Sequence, residues 1–142
     1  MPNHFHILIL ANEGTVKNIS RNRLEIQQLS ENIRLLLSSY TKAINKQNNC
    51  CGSLFQQKTK AKEIDLYDED QLKNIFHYIH QNPFKAGLVK KLEDWKFSSY
   101  RDYMNLRDGK LCNKELAGKF IPLETEQFDI DSNRIVDLKL DI

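Results

Sequence analysis

The apolar positions of this chain fall into two helical stripes and one short extended run. From Leu29 to Gln47 they recur at Leu29, Ile33, Leu36, Leu37, Tyr40 and Ile44, the i, i+4, i+7, i+8 spacing of an amphipathic helix. A second stripe, Leu72, Ile75, Phe76 and Ile79, predicts a helix from about Asp68 to Gln81. Asp65, Asp68, Glu69 and Asp70 lead into it, where acidic side chains suit the positive end of a helix dipole. Asn82-Pro83 is expected to end it, since proline disfavours helical geometry in the residue before it. The extended run comes first. His4-Phe5-His6-Ile7-Leu8-Ile9-Leu10 reads as a strand with His4 and His6 on one face and Phe5, Ile7 and Ile9 on the other.

Between these elements the pattern is weaker. Residues 16–28 read as a loop leading into the first helix, and Asn48-Asn49 and Gly52-Ser53 as a break. Leu54 to Lys62 carries Lys58, Lys60 and Lys62 in alternation. If this is a strand, the lysines form either a protected edge or a cationic stripe for a phosphate backbone. The aromatic-rich stretch Trp95 to Tyr103 is expected to pack back on the core, and Lys110 to Phe120 to hold a short helix. From Glu124 acidic and apolar residues alternate, as an added strand or an extension.

Composition narrows the class. The chain has 142 residues, with 40% hydrophobic and 28% charged residues, which suits one globular domain. No apolar run is long enough to span a bilayer and no secretory leader is recognisable, so a cytoplasmic, non-membrane protein is the expectation. Cys50, Cys51 and Cys112 lack zinc-site spacing and read as reduced thiols. The net charge of +2 conceals a basic body: residues 1–123 carry 19 basic and 13 acidic residues, residues 124–142 two and six. That asymmetry points to a polyanionic partner or to an ordinary solvated surface.

Two imidazoles on a strand can hold a divalent ion, and they can equally be ordinary histidines. On the second helix, a turn of roughly 100° per residue puts Tyr78 and Asn82 on one flank of the apolar stripe. A phenol and an amide beside two imidazoles make a mixed site that suits Mg²⁺ or Mn²⁺, with a tyrosine able to attack phosphorus. Taken singly, Tyr78 also reads as a packed aromatic and Asn82 as a helix stop. By the same angles His77 and His80 read as surface residues, and Tyr40, on its own helix's stripe, as core.

Four stretches in order carry a family resemblance. Met1-Pro2-Asn3-His4-Phe5-His6-Ile7-Leu8-Ile9 resembles the "MPNHFHLLI" of IS200-like and REP-associated tyrosine transposases, members of the single-tyrosine HUH superfamily. Leu54 to Lys58 resembles their "LWQGR", Tyr78 to Val89 their "YIxxNPVRAGLV", and Trp95 to Tyr100 their "WxxSSY". The resemblance implies an α+β, ferredoxin-like antiparallel sheet packed with helices. It also implies His4, His6 and Asn82 as ligands of Mg²⁺ or Mn²⁺ and Tyr78 as the nucleophile. The implied reaction is cleavage and rejoining of single-stranded hairpin or palindromic DNA through a 5′-phosphotyrosine. Lys58, Lys60, Lys62, Lys85, Lys90 and Lys91 then become candidate DNA contacts on a monomer or homodimer. In that family the first motif is internal, preceded by a strand and a helix. The expectation is therefore a transposase-like domain over 1–123 missing those two elements, followed by an acidic tail over 124–142. A repurposed DNA-binding protein without catalysis, and a phosphoesterase that activates water in place of Tyr78, are the alternatives.

Overall fold

The computed structural model describes residues 4–56 and 60–134, and its described residues are of mixed α+β class, with a two-stranded antiparallel sheet and six α-helices. They divide into two compact units: one takes the chain up to Leu8 and from Lys62 onward, the other Ile9–Ala61.

In the Ile9–Ala61 unit, Asn12 caps the short helix α1 (Glu13–Val16), accepting from the Thr15 amide at 3.1 Å while the Thr15 hydroxyl accepts from the Asn12 amide at 2.8 Å. Strands β1 (Asn18–Arg21) and β2 (Leu24–Gln27) follow, pairing Ile19 with Ile26. Their connection is two residues, Asn22 and Arg23, both left-handed with φ of 51° and 66°, as a tight hairpin requires. The weak periodicity of residues 16–28 concealed this hairpin. Helix α2 (Gln28–Asn48) occupies the expected span and ends on left-handed Asn49. It carries no buried residue, and Tyr40, expected in the core, is exposed beside Phe55 at a ring separation of 6.0 Å.

The other unit holds the core. Helix α3 (Glu69–Lys85) starts at Asp68, whose carboxylate accepts from the Gln71 amide at 2.9 Å. It runs through the expected stop, with Pro83 inside its last turn. The ring deprives the Ile79 carbonyl of one bond but is itself buried, and the helix closes beyond it at Ala86, whose amide donates to Asn82 O at 3.0 Å. Gly87, at φ 67°, then turns the chain. A 3₁₀ turn (Leu92–Asp94) and helices α4 (Tyr100–Tyr103), α5 (Lys114–Ala117) and α6 (Thr125–Asn133) complete it.

Leu72, Phe76, Leu92, Tyr100, Tyr103, Ile121 and Phe128 form the buried cluster. Phe128, from α6, is fully enclosed and stands 5.4–6.1 Å from the rings of Phe76, His77, His80, Tyr100 and Tyr103. The beginning of the acidic segment is thus a helix at the centre of the core, neither strand nor extension.

Two expected strands are absent among the described residues. His4–Leu10 has irregular backbone, and Ile7–Leu10 make no backbone hydrogen bond among the described residues. A strand needs a neighbour, and the described sheet pairs β1 and β2 only with each other. Lys60 and Lys62 are likewise exposed on irregular backbone, and Lys58 lies outside the described residues.

Candidate functional site

Helix α3 displays Tyr78 and Asn82 one turn apart, both half-buried at its edge. The continuation of the helix past Pro83 is what gives Asn82 this helical placement. Lys85 places its ammonium 5.4 Å from the centre of the Tyr78 ring, an arrangement favoured by the ring's negative face. The Asn82 Nδ2 is enclosed without a hydrogen-bond partner among the described residues. A rotation of the amide exchanges nitrogen for oxygen at that position.

His4 and His6 lie with ring centres 5.1 Å apart and planes at 89°. The two rings meet edge to face, an ordinary aromatic contact. His4 is exposed and His6 half-buried. Burial, then the neighbouring His4 and the N-terminal charge, push the His6 imidazole below its ordinary value and favour the neutral form that binds metal. Among the described residues no third histidine, cysteine or carboxylate joins them.

The structure brings His4 to His6, and Tyr78 to Lys85. Lys90 and Lys91 are exposed in the segment after α3, Lys91 lying 3.5 Å from Glu93.

Sequence reasoning misplaced His77 and His80. Both are 2% exposed, because the buried arc of α3 is rotated from the apolar stripe towards Phe76, His80 and His77. His77 Nδ1 meets Ser132 Oγ at 2.8 Å and His80 Nε2 meets Ser99 Oγ at 2.7 Å. Burial lowers His77 to about 4 and His80 to about 3, with Asp131 opposing the shift at His77. Their serine partners stand far off in sequence, so periodicity could not reveal them. These are structural imidazoles, held neutral in an aromatic core.

A second missed feature is a polar clamp on α4. Asp102, 1% exposed, receives Arg107 Nε at 2.9 Å and a second bond from its Nη2. The guanidinium beside it holds the carboxyl below the usual range. Arg107 also donates to the carbonyls of Lys96 at 2.8 Å and Ser98 at 3.1 Å. One buried carboxylate thus fixes the turn that carries Trp95 to Ser98.

Comparison with protein-family models, curated proteins and solved structures finds no match in any of the three. No helix among the described residues is long and apolar enough to cross a membrane.

Proposed function

We propose that this chain is a metal-dependent tyrosine transposase of the single-tyrosine HUH type, cutting and rejoining single-stranded DNA with Tyr78. The observation that carries the reading is the close His4–His6 couple; Tyr78 and Asn82, one turn apart at the edge of α3, are a separate support. The ordered motif resemblance supports it.

In this reading His4, His6 and Asn82 would hold Mg²⁺ or Mn²⁺, which supplies Lewis-acid polarisation of the scissile phosphate. The Tyr78 Oη attacks phosphorus and forms a phosphotyrosine with the 5′ side of the break. Its proton passes to solvent, and the departing 3′ oxygen leaves as a hydroxyl. The bond energy is kept in the phosphotyrosine, so a second 3′-hydroxyl can reverse the step and rejoin a strand. Lys85, whose ammonium lies over the Tyr78 ring, would meet the phosphate, and Lys90 and Lys91 the flanking backbone. A ferredoxin-like sheet holding His4 and His6 belongs to the same proposal; the aliphatic, β-prone composition of Ile7–Leu10 supports it.

The test is nicking of an end-labelled single-stranded hairpin oligonucleotide with Mg²⁺ or Mn²⁺. Metal-dependent nicking that Tyr78→Phe abolishes is the expected result; undiminished cutting by that variant sinks the mechanism. The irregular backbone of His4–Leu10 favours a second reading, DNA binding without cleavage, since a site on such backbone is less rigidly preorganised. Salt-sensitive binding with no nicking would select it.

A further inference from the structure

The turn Trp95–Ser98 holds an aromatic ring out into water. Phe97 is 84% exposed, although it lies between Trp95 and buried Ser98 in the core-bearing unit. An exposed aromatic is unremarkable on a mobile loop, but this turn is fixed from several sides. Ser98 N donates to Trp95 O at 3.0 Å, and Trp95 N to Leu92 O at 3.4 Å. Ser98 Oγ accepts from the Tyr100 amide at 3.1 Å. Arg107 grips the carbonyls on both sides of Phe97, at Lys96 and Ser98, and is itself anchored on buried Asp102. Trp95, half-buried, packs edge-on against Phe97 with ring centres 5.6 Å apart and planes at 72°. Phe97 therefore has one ring edge-on to its own and most of its surface open.

The segment that carries it is net basic. From Lys85 to Arg101 the segment carries Lys85, Lys90, Lys91, Lys96 and Arg101 against Glu93 and Asp94. Glu93 is engaged at 3.5 Å by Lys91, and its carbonyl by Arg101 at 2.7 Å. Lys96, adjacent to Phe97, is exposed. A rigid open aromatic face next to cations is how unpaired nucleotides are held: the base stacks on the ring and the backbone meets the lysines. A duplex, whose bases are already stacked, offers such a ring nothing.

We infer that Phe97 is a stacking platform for an unpaired base of single-stranded DNA, with Lys96 contacting the adjoining phosphate. The inference rests on the DNA reading proposed above and adds to it a base-contacting residue on the turn after α3.

Trp95 is the single tryptophan of the chain, so its fluorescence reports on this turn directly. The experiment titrates the full chain with oligothymidylate and with a duplex of equal length, reading both Trp95 emission and the anisotropy of labelled DNA. Oligothymidylate is expected to quench Trp95 and to bind in preference to duplex. Phe97→Ala should weaken single-strand binding by roughly tenfold or more while leaving the salt dependence unchanged. Lys96→Ala should weaken it and flatten the salt dependence by about one phosphate contact. Phe97 is exposed, so its variant should fold; Tyr67→Ala, at another exposed aromatic, serves as control and should bind as the parent does. If the parent binds oligothymidylate and Phe97→Ala binds equally well, the platform is wrong and the DNA reading stands. If the parent binds no DNA, both fall. Equal loss for duplex and single strand would also overturn the platform.

Discussion

His77 and His80 show how far a side chain's character depends on its surroundings. Each enters an aromatic core as a neutral ring with one nitrogen bonded to a serine, and each has its other nitrogen enclosed without a partner among the described residues. Protonating either ring would place a cation among aromatics, with Lys73 adding to the cost at His77 and Asp131 reducing it. Their folded values of about 4 and about 3 lie below the ordinary 6.5 of the unfolded chain. The unfolded state thus binds more protons at acid pH, and this contribution is complete above about pH 6.5 and drains away as pH falls towards about 4 at His77 and about 3 at His80. The thermal midpoint should fall between pH 6.5 and 4.5, and His80→Leu should make that fall shallower; an unchanged slope in the variant would remove His80 from the account. The clamp on α4 gives a second residue-scale expectation. A Cβ at Gly109 would stand 2.0 Å from Asp102 Oδ1, and Asp102 is buried with nowhere to retreat. Gly109→Ala should therefore cost roughly 2 kcal/mol or more in denaturant unfolding. An exposed Gly52→Ala comparison separates crowding from strain, since nothing lies near that site but its φ is 109°.

At the scale of elements, α2 and α3 were legible because three- and four-residue periodicity needs no knowledge of what the helix packs on. The end of α3 was not. Proline's effect on the preceding residue is a local preference, and here burial of the Pro83 ring and closure at Ala86 outweigh it. The hairpin β1–β2 was missed because Asn22-Arg23 hides a left-handed turn behind a residue, Arg23, that seldom adopts one. The strand at His4–Leu10 was expected from β-prone side chains, yet a strand depends on a partner that composition cannot supply. The contrast between elements can be measured. Phe128 touches every ring of the core from α6, so Phe128→Ala should cost about 3–5 kcal/mol. Leu36→Ala on α2, where no residue is buried, should cost about 1 kcal/mol or less. Comparable losses for the two would contradict this placement of the core.

For the whole molecule, residue type and spacing singled out the candidate residues, while the backbone that carries them was not legible. His4 and His6 are neighbours on irregular backbone, without the strand whose alternation was expected to align them, while Tyr78 and Asn82 share the edge of α3 as helical angle implied. The alternating lysines over Leu54–Lys62 have no strand to line among the described residues, so the cationic surface argued from structure shifts to the segment from Lys85 to Arg101. That surface and Tyr78 both lie in the unit that contains the buried core, whereas the Ile9–Ala61 unit buries no residue among those described. The central claim is a covalent one: the Tyr78 oxygen becomes bonded to DNA phosphorus. The most direct measurement is mass spectrometry of proteolytic fragments after incubation with a single-stranded hairpin oligonucleotide and Mn²⁺. The account predicts a nucleotide phosphate attached to the peptide at Tyr78, absent from Tyr78→Phe and from reactions with chelator. Cleaved DNA with no modified tyrosine, or a modification that persists when Tyr78 is replaced, would contradict it.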